Sequence, residues 1–162
     1  MIEADLPVSG SPRLDTRAWA IAFARMILGL IFGMAGYWKC FVLTPPGHVR
    51  RFFLPYADTW IPAWLLWTVG LVIPVVELIA GWLLVVGYQV RGSIVALGIV
   101  LLTVTYGHLL KDPLYSFTGH VVPRLGLLVF VALLVDDDRF SIDQWRVRRP
   151  RTNGRNPKED RK

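Results

Sequence analysis

Four stretches of nearly unbroken apolar residues alternate with shorter polar ones along the chain, at about 18–43, 62–87, 93–110 and 121–135. The first two exceed the ~20 residues a helix needs to cross a hydrocarbon core ~30 Å thick, and the third approaches that length. The fourth reaches it only when Gly119 and His120 are included. Backbone groups in lipid must bond within their own segment, and runs of this length do not fit barrel strands. The pattern predicts an all-α protein, an integral membrane four-helix bundle over 18–145. A polar extension at 1–17 precedes it, and a basic tail at 146–162, expected to be disordered without a partner, follows it.

The connections refine this picture. The turn at 88–92 is so short that the second and third helices must be antiparallel neighbours. The segment TPPGHVRRFFLPYADTWIP is too polar to span and too aromatic for a plain linker. It suits an amphipathic stretch at the outer interface or a cap over the bundle. The first 17 residues lack the basic-then-apolar order of a cleaved signal, so the chain from Ala18 onward reads as a retained span.

Composition agrees with the membrane class: 54% of residues are hydrophobic and 19% charged, with a mean hydropathy of +0.45, outside the range of an ordinary soluble domain. The net charge of +6 does not point to nucleic acid, because nine of the eighteen Lys and Arg residues lie after Asp138. A basic tail beside membrane helices faces anionic headgroups or neighbouring proteins. Four spans put both termini on one side. That side carries twelve basic residues against five on the other, so both termini are expected in the cytoplasm. Cys40 is the single cysteine, which excludes an intrachain disulfide, a CxxC pair and a thiolate metal cluster. His48, His108 and His120 are scattered without metal-ligand spacing, and no phosphate loop or local nucleophile–base pair is present. The sequence therefore offers no metal site and no cofactor bound by its own ligands, with quinone or lipid as candidate guests.

Ionisable residues at membrane depth are the functional suspects, since each costs at least ~2.5 kcal/mol on insertion scales. Glu77 lies deep in the second run and Arg25 inside the first, at depths that differ by only ~5 Å when counted from the ends of the spans. They form a candidate ion pair. The pair either fixes helix register or takes part in proton handling, with Glu77 and His108 as the candidate relay. Pro74 removes the hydrogen bond to the Gly70 carbonyl and should bend the second helix beside Glu77. Tyr37, Trp38, Lys39, His108, Lys111, His120 and Arg124 fall at the outer helix ends. They serve either as interfacial anchors or as a cationic, aromatic-lined pocket for a quinone headgroup or small anion. Gly29, Gly33, Gly36 and Gly81 provide small faces that allow close helix packing.

The run RMILGLIFGMAGYWKCF, with Arg25, Gly29, Gly36 and Lys39, resembles the first helix of the DoxX family. VVELIAGWLLVVGYQVRG, with Glu77, Gly81, Gly87 and Arg91, is similar to its second. LLVDDDRFSIDQW ends in a matching Ser-x-Asp at Ser141 and Asp143. The resemblance covers roughly 24–145 and implies a four-helix protein of the bacterial inner membrane. The wider family includes the small membrane subunit of thiosulfate:quinone oxidoreductase, and other members associate with oxidoreductase assemblies. The polar extension and long basic tail depart from a minimal member and suit docking to other membrane subunits. The expectation is an accessory subunit of a membrane redox or energy-conversion complex. A quinone-reducing subunit is the alternative, and a small oligomeric transporter the second alternative.

Overall fold

A computed structural model describes residues 16–111, 119 and 121–148, and they are helical apart from short turns. Helix α1 (Thr16–Tyr37) continues through a π-helical turn, Trp38–Val42. A short re-entrant segment follows: α2 (Pro45–His48), a second π-helical turn, Val49–Phe53, and a 3-10 turn, Leu54–Tyr56. Helices α3 (Ala63–Val86) and α4 (Val90–Lys111) form a tight antiparallel hairpin. Helix α5 (Val121–Leu134) ends in a 3-10 turn, Val135–Asp137, and α6 (Ile142–Arg148) closes the described chain.

Three helices, Thr16–Val42, Ala63–Val86 and Val90–Lys111, are long and apolar enough to cross a membrane. The protein is thus a membrane protein on helix length and composition. The fourth expected span, 121–135, is represented by α5, whose 14 residues measure about 21 Å. The expected extension at 1–15 and the tail beyond 148 lie outside the described residues.

The α3–α4 turn is tight because the chain there can adopt left-handed backbone. Gly87 has φ 78° and closes α3 with a Schellman arrangement, Gly87 N–H and Tyr88 N–H both donating to the Leu83 carbonyl. One core runs through all four long helices, with Leu28, Leu84, Leu97 and Val131 completely buried. The closest approach is between α1 and α3. A methyl group on Gly29 would sit 2.7 Å from the Gly81 carbonyl oxygen, and one on Gly81 would sit 2.6 Å from the Gly33 Cα. Backbone touches backbone there, as only glycine permits.

Candidate functional site

Two buried ion pairs stand at opposite ends of the α1–α3 contact. At one end Arg25 is 3% exposed, and its Nε lies 2.8 Å from Asp138 Oδ2, itself 1% exposed. The contact is a close charge pair without an aligned N–H···O bond. The guanidinium's Nη1 donates to the carbonyls of Leu84 and Val85, the latter at 3.0 Å. Those carbonyls belong to the last turn of α3, where the helix dipole is negative and a cation is favoured.

The loop that presents Asp138 is shaped by its own polar bonds. Asp138 Oδ1 accepts from Phe140 N–H at 3.3 Å, and the Ser141 hydroxyl donates to the Asp138 carbonyl at 3.1 Å. Ser141 Oγ in turn accepts from Gln144 N–H at 3.3 Å in the first turn of α6. Asp143 reaches back to the α3–α4 turn, accepting from Gln89 N–H at 3.0 Å and Val90 N–H at 2.8 Å. The two neighbouring acids complete a clasp: Asp136 pairs with Arg91 of α4, and Asp137 lies 2.7 Å from Arg17 of α1. Three consecutive aspartates thus take three arginines from two helices. Thr16, the α3–α4 turn and α6 consequently share one end of the bundle.

At the other end Lys39 Nζ is 2.5 Å from Glu77 Oε2, with Glu77 6% and Lys39 20% exposed. Arg124 of α5 adds a second positive charge that acts on the same carboxylate, while its guanidinium rests 5.9 Å from the Phe32 ring centroid. Lys39 lies in the π-helical turn that ends α1, a local widening common where a helix re-aims a side chain.

The expected Arg25–Glu77 pair is not formed. Depth counted from the ends of the spans misplaces the helices, because their register is set by glycine contacts. Gly29 lies against Gly81 and Val85, and Gly36 against Glu77 and Leu78. Arg25 therefore meets Leu84 and Val85, about 11 Å along α3 from Glu77. The expected outer pocket is also only partly gathered. Lys39 pairs with Glu77 and the charge of Arg124 acts on the same carboxylate through space, whereas Tyr37 is exposed and rests against Phe41 with ring centroids 5.1 Å apart. Lys111 is held by the re-entrant segment: it bonds the Pro55 carbonyl, lies 3.7 Å from Asp58 and sits 5.1 Å from the Tyr56 ring centroid. His108 is half-buried in the last turn of α4, and His120 lies outside the described residues.

His48 has a role that the sequence reading missed. Pro74 has no N–H to donate to the Gly70 carbonyl, and His48 Nδ1–H donates to that oxygen instead, at 2.8 Å. The neutral ring is held between Phe52 and Phe53, each with its centroid 5.3 Å away. Burial pushes the His48 pKa down and the charge of Lys39 adds to this, while the bond to Gly70 acts in the opposite direction. Gly70 admits the segment closely, since a methyl group there would lie 2.9 Å from Phe53 and Val49 atoms. The re-entrant segment is thereby fastened to the kink in α3. Comparison of the chain with protein-family models, with curated proteins and with solved structures gives no match.

Proposed function

We propose that this chain is an accessory subunit of a bacterial membrane redox or energy-conversion complex, built as the DoxX-like four-helix bundle its motifs resemble. The observation that carries the reading is the use made of its buried charges. Arg25, Asp138, Lys39 and Glu77, the residues that membrane burial would single out for chemistry, are spent on one another at the two ends of the α1–α3 contact. Such pairs fix an architecture at little net gain in stability. Outside this core the long helices present apolar faces, including Ile99 and Leu102 on α4 and Val122 and Leu133 on α5. Partner subunits or lipid would cover them.

In this reading α5 is the fourth span. With its 3-10 turn it covers 17 residues, or about 25 Å. It runs from Arg124, whose charge acts on Glu77 and which lies by Phe32, to the turn before Asp138, which pairs with Arg25, and so accompanies α1. The excess of basic residues in the sequence on the side of the two termini supports reading the clasp end as cytoplasmic, and the bacterial inner membrane is part of the same proposal.

The test is purification of the full-length protein from its native membrane in mild detergent, followed by mass spectrometry and an absorption spectrum. The expected result is stoichiometric co-migration with subunits carrying haem, flavin or pigment. A monomer without partners that turns over a substrate by itself would overturn the proposal. The quinone-reducing alternative is favoured by one feature: Lys39 is part-exposed, which leaves the Glu77 site open from the outer end. A lone homo-oligomer retaining quinone, with quinone reduction lost in Glu77→Gln, would select it.

A further inference from the structure

An apolar groove of about 510 Å³ runs along the lipid-facing side of α3 at the clasp end. Its floor and walls are Leu78, Ile79, Trp82, Leu83 and Val86, and its mouth is formed by Tyr88, Ile142 and Arg146. From Leu78 to Val86 the groove follows α3 for about 12 Å, close to the ~15 Å that one leaflet contributes to a ~30 Å hydrocarbon core. Trp82 forms a fixed wall, because its indole packs over Gly33 of α1, where a methyl group would lie 3.5 Å from Nε1.

The charge at the mouth differs from the paired arginines at this end. Arg17, Arg25 and Arg91 each face an aspartate. Among the described residues no carboxylate forms an ion pair with Arg146, whose guanidinium lies 4.8 Å from the Tyr88 ring centroid. The nearest acid in sequence, Asp143, is turned away and accepts the Gln89 and Val90 amides. Tyr88 at the mouth and the exposed Trp145 on α6 are residue types that settle at the headgroup level. An apolar trough close to one leaflet deep, ending in an exposed guanidinium that forms no ion pair among the described residues, is complementary in shape and charge to an amphiphile with an anionic head.

We infer that this groove is a binding site for one anionic phospholipid, with an acyl chain along Leu78–Val86 and the phosphate on Arg146. The planar guanidinium offers paired N–H donors to phosphate oxygens, and stacking on Tyr88 holds its orientation. The site is independent of the accessory-subunit reading, since it needs only that α3 spans the bilayer.

Native mass spectrometry of the full-length protein in detergent tests it, with phosphatidylglycerol and phosphatidylcholine supplied at equal concentration. One basic residue at a membrane surface corresponds to about a fivefold preference for the anionic lipid, so retained phosphatidylglycerol should exceed phosphatidylcholine by about that factor. Arg146→Gln should remove the preference. Ile79→Trp, which fills the groove from an exposed position, should reduce retention of both lipids. Inorganic phosphate should not displace phosphatidylglycerol, because the chain is needed. Equal retention of the two lipids by the unaltered protein, an undiminished preference in Arg146→Gln, displacement by inorganic phosphate, or retention of a quinone in place of phospholipid would each overturn the proposal.

Discussion

Replacing Asp138 with Ala would leave the Arg25 guanidinium at a site 3% exposed with its two carbonyl acceptors but without a counter-ion. Removing one partner of a buried pair costs about 3–5 kcal/mol, chiefly through the unpaired charge left behind. The lost bond from Phe140 N–H to Asp138 adds about 0.5–1.5 kcal/mol. The double variant Arg25→Met/Asp138→Ala buries no charge. Its cost is the loss of donors to the last turn of α3, the same Phe140 bond and some packing, about 2–4 kcal/mol. The double variant is therefore expected to be more stable than Asp138→Ala alone, with a coupling of at least about 2 kcal/mol between the sites. Asp137→Ala is the control, since its pair with Arg17 is exposed on both sides and worth about 1 kcal/mol or less. Reversible unfolding of the full-length protein in mixed micelles, followed by circular dichroism, reads the unaltered protein, the Asp138→Ala and Arg25→Met single variants, the double variant and the Asp137→Ala control. An Asp138→Ala cost below about 1 kcal/mol, or additive single costs, would refute the reasoning.

Gly81→Ala should destabilise by about 1–3 kcal/mol or more, because its methyl group would press on Gly33 backbone, while Gly126→Ala, where nothing lies within 4 Å, should be neutral or better in the same unfolding assay. His48→Phe should cost about 1–3 kcal/mol by leaving the Gly70 carbonyl without a donor, and Pro74→Ala, which restores the helical N–H, should recover part of that loss in the double variant. His48 is held neutral with a lowered pKa, so the unfolded segment binds the proton first. Stability of 44–56 should therefore be full above the unfolded value near 6.5 and fall as pH drops toward the folded pKa. Amide exchange of that segment at pH 7.5 and pH 5 measures this, with the pH dependence absent in His48→Phe. Asp143→Ala should cost about 0.5–2 kcal/mol through the loss of two acceptors at the start of α4, read as faster exchange of the Gln89 and Val90 amides.

The helical class and the three long spans were legible because apolar run length is a local property that bilayer thickness makes decisive. The consequence of Pro74 was half legible: the orphaned Gly70 carbonyl follows from the sequence, but its donor, His48, is 22 residues away and comes into range only when the re-entrant segment folds back. The partners of Arg25 and Glu77 were misassigned because helix depth was measured from the span ends, whereas Gly29, Gly36 and Gly81 set the register. One signal for the true partner of Arg25 was present. Three successive aspartates close the fourth apolar run, facing the end that also holds Arg17, Arg25 and Arg91. That match of acids to arginines needs only the antiparallel order of four helices, and it would have assigned Asp138 before any distance was known.

The glycine contacts set the register, and the buried charges hold it. A slide of four residues against α3 would again bring a glycine, Gly29 or Gly33, to Gly81, but it would carry Phe32 or Cys40 to the place of Gly36, where a Cβ would collide with the Leu78 nitrogen. Such a slide moves the helices by about 6 Å. It would separate Lys39 from Glu77 at one end and draw Arg25 off the Leu84 and Val85 carbonyls at the other. Each broken buried contact leaves a charge without its partner, at a cost of several kcal/mol, in addition to the backbone collision at the place of Gly36. The two pairs thus reinforce the register that the glycines set. The same register fixes the groove beside Trp82, since its wall exists only while that indole lies over Gly33. In this membrane protein, charges buried at both ends of one helix pair hold the shape of the apolar surface outside it.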